Sequence, residues 1–225
     1  MNFGDALAVL QSRASTAAPL GTTASTASTT LLCSTCDTCE PDGEPASPAQ
    51  VELASLDVVA LLRRFLQRQE ERVAAYRKFE EGFLLFLQVA EAEPASYEAL
   101  VKYTTASFAT ISDSINSIEA ELRGRTSATA SLAKVLRKVQ LLEREKLQLT
   151  AQLQIVRHGL ALDALQAEVA EDANSKEARM AALRAEEGAD LGRRLTSVTG
   201  QLNEALDEVR CEMSEMADED GDEDK

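Results

Sequence analysis

Cys33, Cys36 and Cys39 form a C-x-x-C-x-x-C cluster, and by type and spacing they are the residues most able to do chemistry. Thiolates so spaced can converge on one soft metal ion or an iron–sulfur centre. A closed site needs a fourth donor, and the chain supplies one poorly. The single histidine, His158, falls inside a helical repeat. Cys211 lies far along the chain, and Asp37 and Glu40 are poor substitutes. Ser34, Thr35, Thr38 and the run Glu40-Pro41-Asp42-Gly43-Glu44-Pro45 read as loop rather than folded knuckle. The cluster therefore reads as reduced thiols in a flexible segment, with a metal site as the weaker reading; no cofactor is expected. Nucleotide-driven chemistry would need a G-x-x-x-x-G-K-[ST] loop, and none occurs. Nuclease chemistry would need clustered carboxylates, whereas the acids here fall on helix faces with Arg and Lys neighbours. The expectation is a protein that is not an enzyme.

The elements that position everything else are helices. Tyr97, Val101, Thr104, Phe108, Ile111, Ile115, Ile118 and Leu122 step four, three, four, three; so do Leu132, Val135, Val139, Leu142, Lys146, Leu149, Leu153, Val156 and Leu160. That spacing holds one stripe of an α-helix against a partner helix. Aromatics make up only 4% and Trp is absent, as in long helices rather than a thick mixed core.

A first helix should start near Val51 and run to about Glu91, because Pro94 stops it. Its apolar stripe includes Leu62, Phe65, Tyr76 and Phe83, with Arg63, Arg64, Arg68, Glu70, Glu71 and Arg72 on the other face. Ser96 suits the N-cap of a second helix, whose few charges make it the middle one. Gly124 and Thr126-Ser127 form the next turn, and a third helix spans about Ser131 to Ala161. Leu191, Leu195, Val198, Leu202, Val209, Met213 and Met216 mark a fourth segment, interrupted by Gly188, Gly192 and Gly200. That segment is either a packed fourth helix or an extension that needs a partner chain. The expected fold is all-α: an antiparallel three-helix bundle or coiled coil with a long C-terminal helical extension and disordered termini. The expected divisions are a leader (1–50), a helical domain (51–168), an extension (169–217) and an acidic tail (218–225).

The net charge of −15 is uneven: −4 over residues 1–50, −1 over 51–168 and −10 over 169–225. A neutral centre with acidic ends and no basic stripe argues against direct high-affinity nucleic-acid binding and favours protein partners, with a homo-oligomer through the coiled coil as an option. No stretch approaches the roughly 20 apolar residues of a membrane span. The Ala/Ser/Thr-rich stretch 14–30 has only Arg13 as a basic neighbour, so it reads as a disordered leader rather than an organelle transit peptide.

Several positions invite a sharper reading. Lys146 in the heptad seam is either a register specifier or a side chain whose stem packs while its ammonium reaches water. Gly82 either permits close approach of another helix or bends its own. Arg72, Arg77 and Lys78 with Glu80 and Glu81 form either a partner-contact face or a solvated one. Tyr76, like Phe65, Phe83, Tyr97 and Phe108, reads most simply as core, and it joins Arg72, Arg77, Gly82 and Lys146 as a partner-binding candidate. His158 reads as a packed or half-exposed helix residue. Ile115→Asp should unfold the domain, whereas Glu119→Lys should be tolerated.

Two stretches resemble the DNA-repair "required for excision 1-B" domain family. One is Glu71-Arg72-Val73-Ala74-Ala75-Tyr76-Arg77-Lys78-Phe79-Glu80-Glu81-Gly82-Phe83; the other is Leu142-Glu143-Arg144-Glu145-Lys146-Leu147-Gln148-Leu149-Thr150-Ala151-Gln152-Leu153-Gln154. Between them, Tyr97 to Leu122 is similar to the family's central helix, and the resemblance covers about residues 55–160. It implies an all-helical protein of DNA excision repair, located in the nucleus, with the cytoplasm as the other option. Joined to the charge distribution, that implies an adaptor working through the repair and transcription machinery. The competing reading is a general coiled-coil subunit of a trafficking or cytoskeletal complex.

Overall fold

The computed structural model describes residues 48–88, 94–169 and 175–222. Cys33, Cys36, Cys39 and the leader lie outside them, as do the last three residues. Five helices make up the described chain: α1 (Pro48–Ser55), α2 (Val58–Gln88), α3 (Pro94–Arg125), α4 (Ser127–Val169) and α5 (Ser175–Asp222). Among the described residues there is no strand.

The helix boundaries depart from the apolar pattern where side chains intervene. The expected first helix is two, split at Leu56-Asp57. Asp57 accepts the N–H of Ala60 at 2.6 Å and so N-caps α2. Arg125, from the end of α3, donates to the carbonyls of Leu56 at 2.6 Å and Leu53 at 3.0 Å, satisfying the end of α1. Pro94 opens α3 rather than merely stopping its predecessor, since a first-turn residue needs no N–H partner. α4 starts four residues before the expected Ser131. Thr126 and Thr129 hold its start: Thr126 Oγ1 accepts the Thr129 N–H at 3.2 Å, and Thr129 Oγ1 accepts the Thr126 N–H at 3.0 Å. Its 43 residues continue past Ala161 to Val169. The backbone of α5 stays helical into the acidic run, to Asp222.

α3 lies between α2 and α4, as a middle helix should. The fourth segment is a packed helix. α5 lies along α4 and also reaches α2, so the largest core cluster takes residues from every helix: Leu53, Leu62 and Phe65, Ile115 and Ile118, Leu136 and Val139, Leu202 and Val209. A second cluster, Phe79, Phe83, Tyr97, Val101 and Ala151, holds α2, α3 and α4 alone. A third, Leu149, Val156, Leu191 and Val198, zips α4 to α5. Each fully buried side chain of this size contributes roughly 1.5–3 kcal/mol.

Candidate functional site

Along α2 and α4, a belt of buried polar side chains separates the two main apolar clusters. Arg72, 2% exposed, is at its centre. Its Nη2 donates to Ser112 Oγ at 2.9 Å and to Gln140 Oε1 at 3.0 Å. Gln140 Nε2 in turn donates to the Ser112 carbonyl at 3.2 Å and to Asn116 Oδ1 at 3.1 Å. Three helices are thereby tied by one guanidinium and one amide. Tyr76 donates its hydroxyl to the Glu143 carbonyl at 3.3 Å and packs its ring on Phe108, centroids 4.6 Å apart. Among the described residues, Arg72 Nη1, Glu143 Oε2 and Gln69 Nε2 are buried and find no hydrogen-bond partner.

Burial lowers the Arg72 guanidinium from its ordinary range, opposed by the neighbouring Glu143 carboxylate and by Tyr76. The Tyr76 phenol is pushed well above its usual value by burial and by the Glu143 charge. A second polar group caps the aromatic cluster: Tyr97 donates to Gln154 Oε1 at 2.7 Å, and Arg157 Nη1 meets Glu80 Oε1 at 2.6 Å. Arg157 also lies over the Phe83 ring, 4.9 Å from its centroid. Burial raises the Tyr97 phenol, and the Glu80 charge adds to the shift.

The structure divides the candidate residues. Arg72 is interior rather than part of a contact face. It was misplaced because a long basic side chain next to Glu70 and Glu71 looks solvated in sequence. Tyr76 is half-buried in the same belt, while Arg77 is exposed. Gly82 is a close approach: a Cβ there would run into the Leu100 side chain of α3. Lys146 is half-buried with its ammonium 4.2 Å from the Tyr76 ring centroid, a cation–π contact rather than a seam ion. His158 packs on Phe86, ring centroids 5.5 Å apart, and burial lowers its pKa. Glu119 is a correction: it is 1% exposed and paired with Arg123, so the surface placement behind Glu119→Lys fails. Gln140, Glu143 and Gln154 escaped notice although they share a heptad-like line with Thr129, Ala133, Leu136 and Ala151. An apolar-only search skips such a line.

Every belt residue falls within one matched segment. Residues 60–157 match the family model described as DNA repair REX1-B. This segment is similar to the REX1-B family. It comprises nearly all of α2, all of α3 and α4 as far as Arg157, leaving α1 and α5 outside. The matched segment is also similar to a mouse (Mus musculus) protein named "Required for excision 1-B domain-containing protein". The two are 32% identical over 100 residues, covering 44% of this chain and 59% of that relative. The match thus spans less than two thirds of the relative's length. No solved structure matches the chain. Among the described residues no helix is long and apolar enough to cross a membrane.

Proposed function

We propose that the chain is a non-enzymatic helical adaptor in DNA excision repair, in the nucleotide excision branch that removes ultraviolet-type damage. It acts in the nucleus by holding protein partners of the repair and transcription machinery. The observation that carries this reading is that the segment similar to the REX1-B family falls within the α2–α4 bundle. Within that bundle Arg72 binds Gln140, Tyr76 binds the Glu143 carbonyl and Tyr97 binds Gln154, so these polar groups tie helix to helix. Their arrangement supports a scaffold whose activity lies in what docks on it.

The test is survival after ultraviolet irradiation of cells lacking the protein, with and without the full chain restored. The full chain is needed because α5 supplies Leu202, Ala205, Leu206 and Val209 to the main core. Expected is a sensitivity that the restored chain corrects; unchanged survival without the protein would end the repair reading. Affinity capture then separates it from a cytoskeletal subunit, since tubulin or vesicle components in place of repair factors would favour the latter.

A further inference from the structure

The near-neutral charge of residues 51–168 conceals a face that is net cationic, with Glu145 as an exposed acid on it. Lys134, Arg137, Lys138 and Arg144 lie within three turns of α4, and among the described residues none makes an ion pair or side-chain hydrogen bond. Arginines elsewhere are often paired: Arg64 with Glu52, Arg125 with Glu121, Arg157 with Glu80, Arg210 with Asp207. On the same helix Leu141, Ile155 and Leu162 stand 47%, 37% and 45% exposed. Leu141, Gln148, Ile155 and Leu162 are seven residues apart in turn, so they line one stripe, a third helix-contact line beside the two already covered. Next to Ile155 a cleft of about 470 Å³ opens between α4 and α5, over Val156 and Leu191, with Arg184, Glu187, Asp190 and Arg194 at its edge.

We infer that this outer face of α4 binds an amphipathic helix of a protein partner. Its acidic residues would meet Lys134, Arg137, Lys138 and Arg144, and its apolar residues would cover Leu141 and fill the cleft at Ile155. The inference rests on the adaptor reading and names the kind of partner that reading requires. From Leu141 to Ile155 the face runs for about 21 Å, four turns of helix. A nucleic-acid backbone fits it less well. Leucine and isoleucine offer nothing to phosphates, and α5 alongside exposes Glu208 and Glu212, which repel a long polyanion. A partner with its acid confined to one end avoids that repulsion.

The probe is a synthetic peptide of about three heptads with leucine at the contact positions and glutamate clustered at one end. It is titrated against the full-length chain, with polyglutamate and a short DNA duplex as competitors. Expected is saturable binding that moves the backbone resonances of Leu141, Ile155 and Leu191. Lys138→Glu with Arg144→Glu should weaken it roughly tenfold or more, as should Leu141→Asp alone. Both variants change exposed or half-exposed side chains, and unaltered circular dichroism will show the fold intact. Peptide binding indifferent to these substitutions would overturn the inference. So would polyglutamate or DNA taking the face more tightly than the peptide, or self-association of the chain lost in Leu141→Asp. The readout uses purified protein, so its failure leaves the survival result untouched.

Discussion

Arg72 shows how one side chain can set the relation of three helices. Removing it takes a hydrogen bond from Gln140 and from Ser112 and leaves the buried Glu143 without its neighbouring positive charge, so Arg72→Ala should cost about 3–5 kcal/mol in denaturant unfolding. Arg72→Met combined with Glu143→Leu should cost less than the sum of the single changes, because neither charge is then stranded; additivity in that cycle would show the two are uncoupled. Glu119→Lys, expected to be harmless from sequence, should now destabilise by about 1–3 kcal/mol, since it buries an ammonium and breaks the pair with Arg123. Ile115→Asp, at a wholly buried site, should still unfold the chain, and thermal melts would rank the two. For His158 the sign follows from burial, which lowers its pKa from 6.5, so the folded state prefers the neutral ring. The unfolded chain then takes up the proton first on acidification. Stability is complete above about 6.5 and falls as pH drops through that value towards the folded pKa. Melting curves of His158→Phe should lack that part of the slope.

Among the elements, α3 was the most legible. All eight positions of its heptad run are buried, because it is covered on two sides by apolar and hydroxyl groups that the periodicity counts. α4 was half legible. Its first line faces α5, but its second, through Gln140, Glu143 and Gln154, is polar and yields no hydrophobic signal. The split between α1 and α2 was hidden for another reason: it depends on Asp57 and on Arg125 arriving from about 70 residues away. Whether α5 packs was undecidable from its glycine-broken stripe, and the shared cluster answers it. Deleting residues 175–225 should therefore expose Leu132 and Val139 and replace cooperative unfolding with a broad transition and dye-binding apolar surface. A truncated chain melting as sharply as the whole would remove α5 from the core.

At the scale of the whole molecule, charge is polarised, with −10 of the net −15 in residues 169–225. Exposed ion pairs such as Arg193–Asp190 contribute little, so self-repulsion along α5 outweighs them. Added salt should raise the melting temperature by a few degrees; a fall would mean that the pairs dominate. The order of the helices along the chain also imposes a timetable. α2 and α3 leave the ribosome with Phe65 and Ile115 facing a space that Leu202 and Leu206 finish filling only about 80 residues after α3 ends. At 5–20 residues per second that interval lasts roughly 4–16 seconds. For its duration the nascent chain carries an open apolar flank, a natural client for a chaperone, and translational pausing between α4 and α5 would prolong the exposure.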